Sequence, residues 1–163
     1  MSAIEQTDYS ALSKMEKYEL FQITWPSLWD SNLKIESNLC NCYALMRQIF
    51  QWWWIGNYWV KGDNLELGVF QGDPACTQIK FGKGVCGYCW EKKETILVPN
   101  VHDFPGHIAC SALSNSEIVV PIFSNSAMVI GVLDIDSKEF NDFDEIDREH
   151  LEIFCSKLAE LLS

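Results

Sequence analysis

Three of the seven cysteines stand where Gly and Pro mark turns and loops. Cys76 follows Gly72-Asp73-Pro74, Cys86 follows Gly82-Lys83-Gly84, and Cys110 closes a long loop after His107. Reduction of a sulfoxide or a disulfide needs a nucleophilic thiolate, a second thiol that can reach it, and a donor that protonates the departing oxygen. Loop placement makes all three thiols candidates for such chemistry, and Cys86 also lies near a predicted helix N-terminus, where the dipole is expected to lower its pKa. The alternative is that these cysteines are small hydrophobes in a core, and spacing alone does not decide.

Zinc is the rival chemistry, because Cys40-Asn-Cys42 and Cys86-Gly-Tyr-Cys89 could each be a ligand pair. Cys40 and Cys42 fall inside a helical pattern, where residues two apart point to different sides, which argues against joint ligation. The Cys86-x-x-Cys89 spacing also fits a thioredoxin-type motif, but no strand-first α/β pattern accompanies it. Cys155 sits in the periodicity of Leu151 and Leu158 and reads as core.

The elements that must position these groups form one domain over residues 1–163, with 1–9 polar and expected to be flexible. Hydrophobic residues make up 48% and charged residues 21%, the range of a globular domain. A net charge of −11 disfavours nucleic acid and anionic membranes as partners, since both bind through Lys and Arg. No basic start followed by an apolar run resembles a secretory signal, so a cytoplasmic, reducing location is expected, with the cysteines as thiols. The apolar stretches Ile118–Phe123 and Met128–Leu133 are too short to span a bilayer.

Apolar periodicity predicts helices over about Ser10–Ile23, ended by Pro26, and over Asp30–Phe50. Strands are predicted at Trp52–Val60 and Leu65–Phe70 around the turn Gly62-Asp63-Asn64, and near Cys76–Ile79. A short helix at Val85–Lys92 precedes a strand at Thr95–Val98 and a long loop from Pro99 to Ser116. Glu117–Phe123 and Met128–Asp136 flank Ser124-Asn125-Ser126 as a hairpin, and a last helix runs from about Asp144 to Leu162 with acidic residues in its first turn. This order implies an α+β fold: a central antiparallel sheet of about six strands, N- and C-terminal helices packed on one face, and a long active-site loop.

From Trp54 to Phe143 the chain resembles the free methionine-(R)-sulfoxide reductases, enzymes built on a GAF domain. The resemblance is carried by "WIGNYWV", "LGVFQGDPACTQIKFGKGVCG", "VPNVHDFPGHIACSALSNSEIVVPI" and "IGVLDIDSKEFNDFDEID", with cysteine spacings of ten and 24 residues. It implies a GAF-like fold and reduction of free L-methionine-(R)-sulfoxide, rather than of the oxidised residue within proteins. It further implies that Cys110 attacks the sulfoxide sulfur and becomes a sulfenic acid, and that Cys76 condenses with it to a disulfide. Cys86 is the third cysteine of the pattern, able to relay or substitute in that step. Thioredoxin would reduce the disulfide, so no tightly held cofactor and no metal are expected, and the family suggests a homodimer.

Residue chemistry fits these roles. Glu117 opens the predicted hairpin and Asp134 and Asp136 close it, so antiparallel pairing could bring the three together; residues two apart on a strand share a face. The resemblance implies substrate contacts here, to the ammonium or to the sulfoxide oxygen, whereas acidic residues at a sheet edge are ordinarily a solvated surface. Trp54 and Tyr58, four apart on a strand, would wall a thioether site; ordinary core packing is their alternative. The chain departs from the family pattern at Trp53, at Asn57, where a polar residue in an aromatic strand suggests an altered outer face and a dimer surface, and at Cys89. A different class of function, a non-catalytic GAF sensor for a small ligand or for redox state, would use the same fold.

Overall fold

The computed structural model describes residues 8–108 and 112–162. The chain runs α1 (Lys14–Thr24), α2 (Ile35–Phe50), β1 (Trp54–Lys61), β2 (Asn64–Gln71), β3 (Gln78–Lys80), α3 (Gly84–Lys92), β4 (Ile96–Val98), β5 (Ser116–Phe123), β6 (Val129–Ser137) and α4 (Glu145–Leu161). Single 3-10 turns lie at Trp25–Leu28 and Val101–Asp103. The first lies between α1 and α2, and the second interrupts the expected long loop. All strand pairings are antiparallel, in the order β3-β2-β1-β6-β5-β4. The α+β arrangement expected from the sequence is the one observed.

Helix ends follow side-chain chemistry more closely than periodicity suggested. α1 starts at Lys14 rather than Ser10 because Ser13 and Glu16 form a capping box, each side chain accepting from the other's backbone N–H. Pro26 occupies the opening of the 3-10 turn that follows, where its missing N–H costs nothing. α2 begins at Ile35 rather than Asp30, because Asp30 is tied to the Asn38 side chain through its own backbone N–H and C=O. α4 opens on a second capping box, between Asp144 and Asp147.

Both faces of the sheet are covered. On one face α1, α2 and α4 bury Tyr43, Met46, Phe154 and Leu158 against Ile55, Ile118, Leu133 and Ile135. On the other, α3 and the adjoining loops cover Tyr58, Val119 and Val132 with Val85, Cys86 and Cys89. The strands therefore bury side chains of both parities, and β5 is buried at every position but its last. Asn57 belongs to the helix-covered face and is fully buried, accepting a hydrogen bond from the Tyr43 hydroxyl at 3.2 Å. It marks no outer surface for a partner subunit; the polar residue in the strand reports a buried bond to α2 instead.

The terminal helices are joined by a polar cluster. Lys14 Nζ pairs with Asp144 at 2.9 Å and with the buried Asp147, and Tyr18 donates to the other Asp147 oxygen at 2.7 Å. Burial pushes the Asp147 carboxyl up even though Lys14, Asp144 and Tyr18 hold it down, so its ionised form depends on those partners. Lys14→Met leaves Asp147 buried without its cation and is expected to cost about 3 kcal/mol, read as a lower urea midpoint.

Candidate functional site

Strand register converges the predicted carboxyls. Asp136 pairs with Trp54 on one side and Glu117 on the other, and Asp134 pairs with Gly56 and Val119. With a two-residue side-chain period, Trp54, Tyr58, Glu117, Asp134 and Asp136 all point to the face covered by α3. There they border a cavity of about 40 Å³, together with Cys86 of α3. The cavity also touches Asp73–Ala75, which leads into Cys76, and His107-Ile108, at the end of the described part of the loop. The acidic residues are not the solvated edge that their charge alone would suggest.

Trp54 and Tyr58 are 4% and 1% exposed, and each spends its polar atom on one segment. Trp54 Nε1 donates to the Asp73 carbonyl at 3.0 Å, and Tyr58 Oη donates to the Cys76 carbonyl at 3.1 Å. The two aromatics thus wall the cavity and fasten the Cys76 segment to β1. Trp54 fits because Gly56 and Gly72 have no side chain: a Cβ at either would stand 2.5 Å or 2.4 Å from the indole. Gly72 further adopts φ +141°, which side chains resist. The sequence pattern does not mark these glycines, since a Gly in a strand signals only some close approach.

The electrostatics are those of a buried acidic cluster. Burial is the largest cause raising Glu117, Asp134 and Asp136 well above the ordinary carboxylate range; the charge of one neighbouring carboxyl adds to each, while hydrogen bonds with Asp134 and with Cys86 oppose the rise at Glu117 and at Asp134. Ser114 donates to Asp136 and opposes that rise. His107 Nε2 lies 3.7 Å from Glu117, and burial lowers its pKa, so both shifts disfavour an ionised pair. His107 and Ser114 complete the site although the loop that carries them has no periodic signal to mark either one.

Cys86 departs from expectation. It is the third residue of α3, yet only 3% exposed, and burial first, then Asp134 and Glu117, push its thiol well above the ordinary value. A helix N-terminus contributes about half a charge, which cannot offset desolvation beside two acids. Cys86 is therefore neither in an open loop nor an activated thiolate. Cys76 is half-buried and disulfide-bonded, while Cys40, Cys42, Cys86, Cys89 and Cys155 are free. Cys110 lies outside the described residues, as do residues 1–7 of the expected flexible start.

The two proposed zinc pairs do not assemble. Cys40 is exposed and Cys42 buried, and Cys89 donates to the Val119 carbonyl at 3.6 Å. A different set converges: donor atoms of Cys86, Glu117 and Asp134 all lie within 4.8 Å of one another. Among the described residues, no helix is long and apolar enough to cross a membrane.

The raised carboxyl pKa values set the sign of a stability test. The folded carboxyls keep protons that the unfolded chain has released, so their contribution to stability is lost as pH climbs from the ordinary carboxylate value toward the folded one. A glutamine at Glu117 has no such loss. Glu117→Gln is expected to raise the thermal midpoint at about pH 8 by at least about 2 °C, and by less at about pH 5.

Comparison with known proteins gives consistent matches. The family model "GAF domain" matches residues 42–163. GAF domain-containing protein A of Dictyostelium discoideum is 45% identical, over 90% of this chain and 93% of its own. The free methionine-R-sulfoxide reductase of Saccharomyces cerevisiae is 40% identical, over 98% of this chain and 91% of its own. Among solved structures, the free methionine-R-sulfoxide reductase of Neisseria meningitidis in complex with its substrate superposes with a TM-score of 0.84 at 40% identity, covering 99% of this chain and 95% of that one.

Proposed function

The chain belongs to the GAF-domain family and, within it, to the free methionine-R-sulfoxide reductases, and from that premise we propose that it reduces free L-methionine-(R)-sulfoxide to L-methionine. The observation that carries this reading is the buried carboxyl cluster facing a cavity walled by Trp54 and Tyr58, at the junction of the segments leading to Cys76 and Cys110.

The cluster accounts for a free amino acid as substrate. Three carboxyls share a buried space in which the only cationic candidate among the described neighbours is His107, itself held toward its neutral form. An α-ammonium entering the cavity supplies the missing positive charge, whereas a methionine within a chain offers only an uncharged amide. One carboxyl retains its proton for the sulfoxide oxygen while the others face the ammonium. The aromatic wall receives the apolar side chain, with sulfur–aromatic contact worth about 0.3–1.5 kcal/mol.

In the proposed cycle the Cys110 thiolate attacks the sulfoxide sulfur and the carboxyl gives its proton to the oxygen. In the S–S-bonded adduct so formed, the hydroxyl passes from the substrate sulfur to the Cys110 sulfur as the S–S bond breaks; the substrate sulfur keeps the electron pair and leaves as methionine, and Cys110 is left as a sulfenic acid. The Cys76 thiol condenses with it, forming a disulfide and releasing water. A dithiol of the thioredoxin type restores both thiols by exchange. Its half-buried site and its segment's fastening by Tyr58 favour Cys76 as the resolving thiol over the deeply buried Cys86.

The test is to incubate the protein with racemic free methionine sulfoxide, thioredoxin and its reducing system. Only the R epimer is expected to disappear. Cys110→Ser abolishes turnover and Cys155→Ser retains it; full turnover by Cys110→Ser, or equal loss of both epimers, would sink the mechanism. Acetylating the substrate nitrogen removes the ammonium and is expected to lower kcat/KM by at least about a hundredfold, matching the roughly 3 kcal/mol of an unpaired buried charge.

A further inference from the structure

Cys86, Glu117 and Asp134 bring one sulfur and two carboxylate oxygens within 4.8 Å of one another. The three residues are 3%, 5% and 6% exposed, so solvent does not surround this triangle. The Asp134 carboxyl meets both Cys86 and Glu117, yet its Oδ1, on the border of the cavity, is buried and has no hydrogen-bond partner among the described residues. No Lys or Arg pairs with either carboxyl among the described residues. A buried acceptor without a partner is costly, and a cation is what such a site lacks.

The donor set selects the kind of cation. Sulfur with two oxygens suits a borderline-soft divalent ion of the zinc class, whereas magnesium and calcium take oxygen alone. Zinc–ligand distances of about 2.0–2.3 Å place tetrahedral ligands roughly 3.3–3.8 Å apart, which small side-chain rotations would reach from the observed triangle. Glu117 comes from β5, Asp134 from β6 and Cys86 from α3, so all three donors are mounted on regular elements.

We propose that Cys86, Glu117 and Asp134 form a binding site for a zinc-class divalent ion, and that the ion excludes the substrate by occupying the carboxyls its ammonium would meet. The metal is a competitor here, with no part in the reaction. Binding stands on the geometry alone; the competition rests on the substrate reading given above.

Cobalt(II) is the probe, because thiolate ligation gives it an intense near-ultraviolet charge-transfer band. The full chain is used in its disulfide form, which withdraws Cys76, and with Cys40→Ser, which removes the exposed thiol. The expected result is one cobalt per chain with that band, displaced by zinc. The band is lost in Cys86→Ser, and affinity is weakened at least about tenfold in Asp134→Asn, the loss of one charged ligand. Circular dichroism identifies any variant that fails to fold, and either variant alone tests the site. A band that survives Cys86→Ser, or cobalt affinity unchanged by Asp134→Asn, overturns it. In the turnover assay, zinc should raise the KM for methionine sulfoxide and leave kcat unchanged; inhibition that excess substrate cannot relieve overturns the competition. If cobalt binds through Cys86 and no methionine sulfoxide is reduced under any condition, the metal site stands and the reductase reading falls.

Discussion

The pairing register of β1, β6 and β5 is the constraint on which everything else depends. It sets Trp54, Asp136 and Glu117 in one row across the sheet, and Gly56, Asp134 and Val119 in the next. Because side chains alternate across a sheet, a one-residue slip of β6 would turn its carboxyls into the helix-covered core and its Leu133 and Ile135 into the cavity. Such a slip would bury charge against Tyr43 and Phe154, so the apolar core and the polar site enforce the same register. Fold and site are thus two readings of one hydrogen-bonding pattern.

The cavity face is held together by polar groups as much as by apolar ones. Trp54 and Tyr58 lie with ring centroids 6.2 Å apart, and both direct their donors to the backbone around Cys76. The loop carrying Cys76 is thereby anchored to a central strand without losing its own half-exposure. The anchoring works only because Gly56 and Gly72 leave room for the indole. Covering this face with α3 brings Cys86 against the carboxyls, and burial there overrides what the helix terminus would do for a thiolate.

Burying Glu117 and Asp134 beside the half-buried Asp136 weakens the fold, and the compensation lies in the rest of the molecule. Helices α1, α2 and α4 contribute a large aromatic and aliphatic core, and capping boxes at α1 and α4 with the Lys14–Asp147 cluster tie the chain ends together. Carboxyls whose pKa is raised by burial, with no Lys or Arg beside them among the described residues, suit the two events the proposed function asks of this cavity, receiving an ammonium and giving up a proton.

Much of this is legible in the sequence. The helices and the hairpin follow from periodicity and turn residues, and the two-residue spacing of Asp134 and Asp136 puts both on one face of β6 whatever that strand packs against. The motif runs around Cys76, Cys86 and Cys110 carry the family. Tertiary structure alone decided which face is buried and by what. Charge on Glu117 could not reveal burial beneath α3, since an acidic strand end reads the same when solvated. Asn57 could not disclose that its partner is Tyr43, fourteen residues away on another element. The N-terminal position of Cys86 predicts an activated thiol, and packing reverses it, because a pKa is set by everything within a few ångströms, most of it distant in sequence.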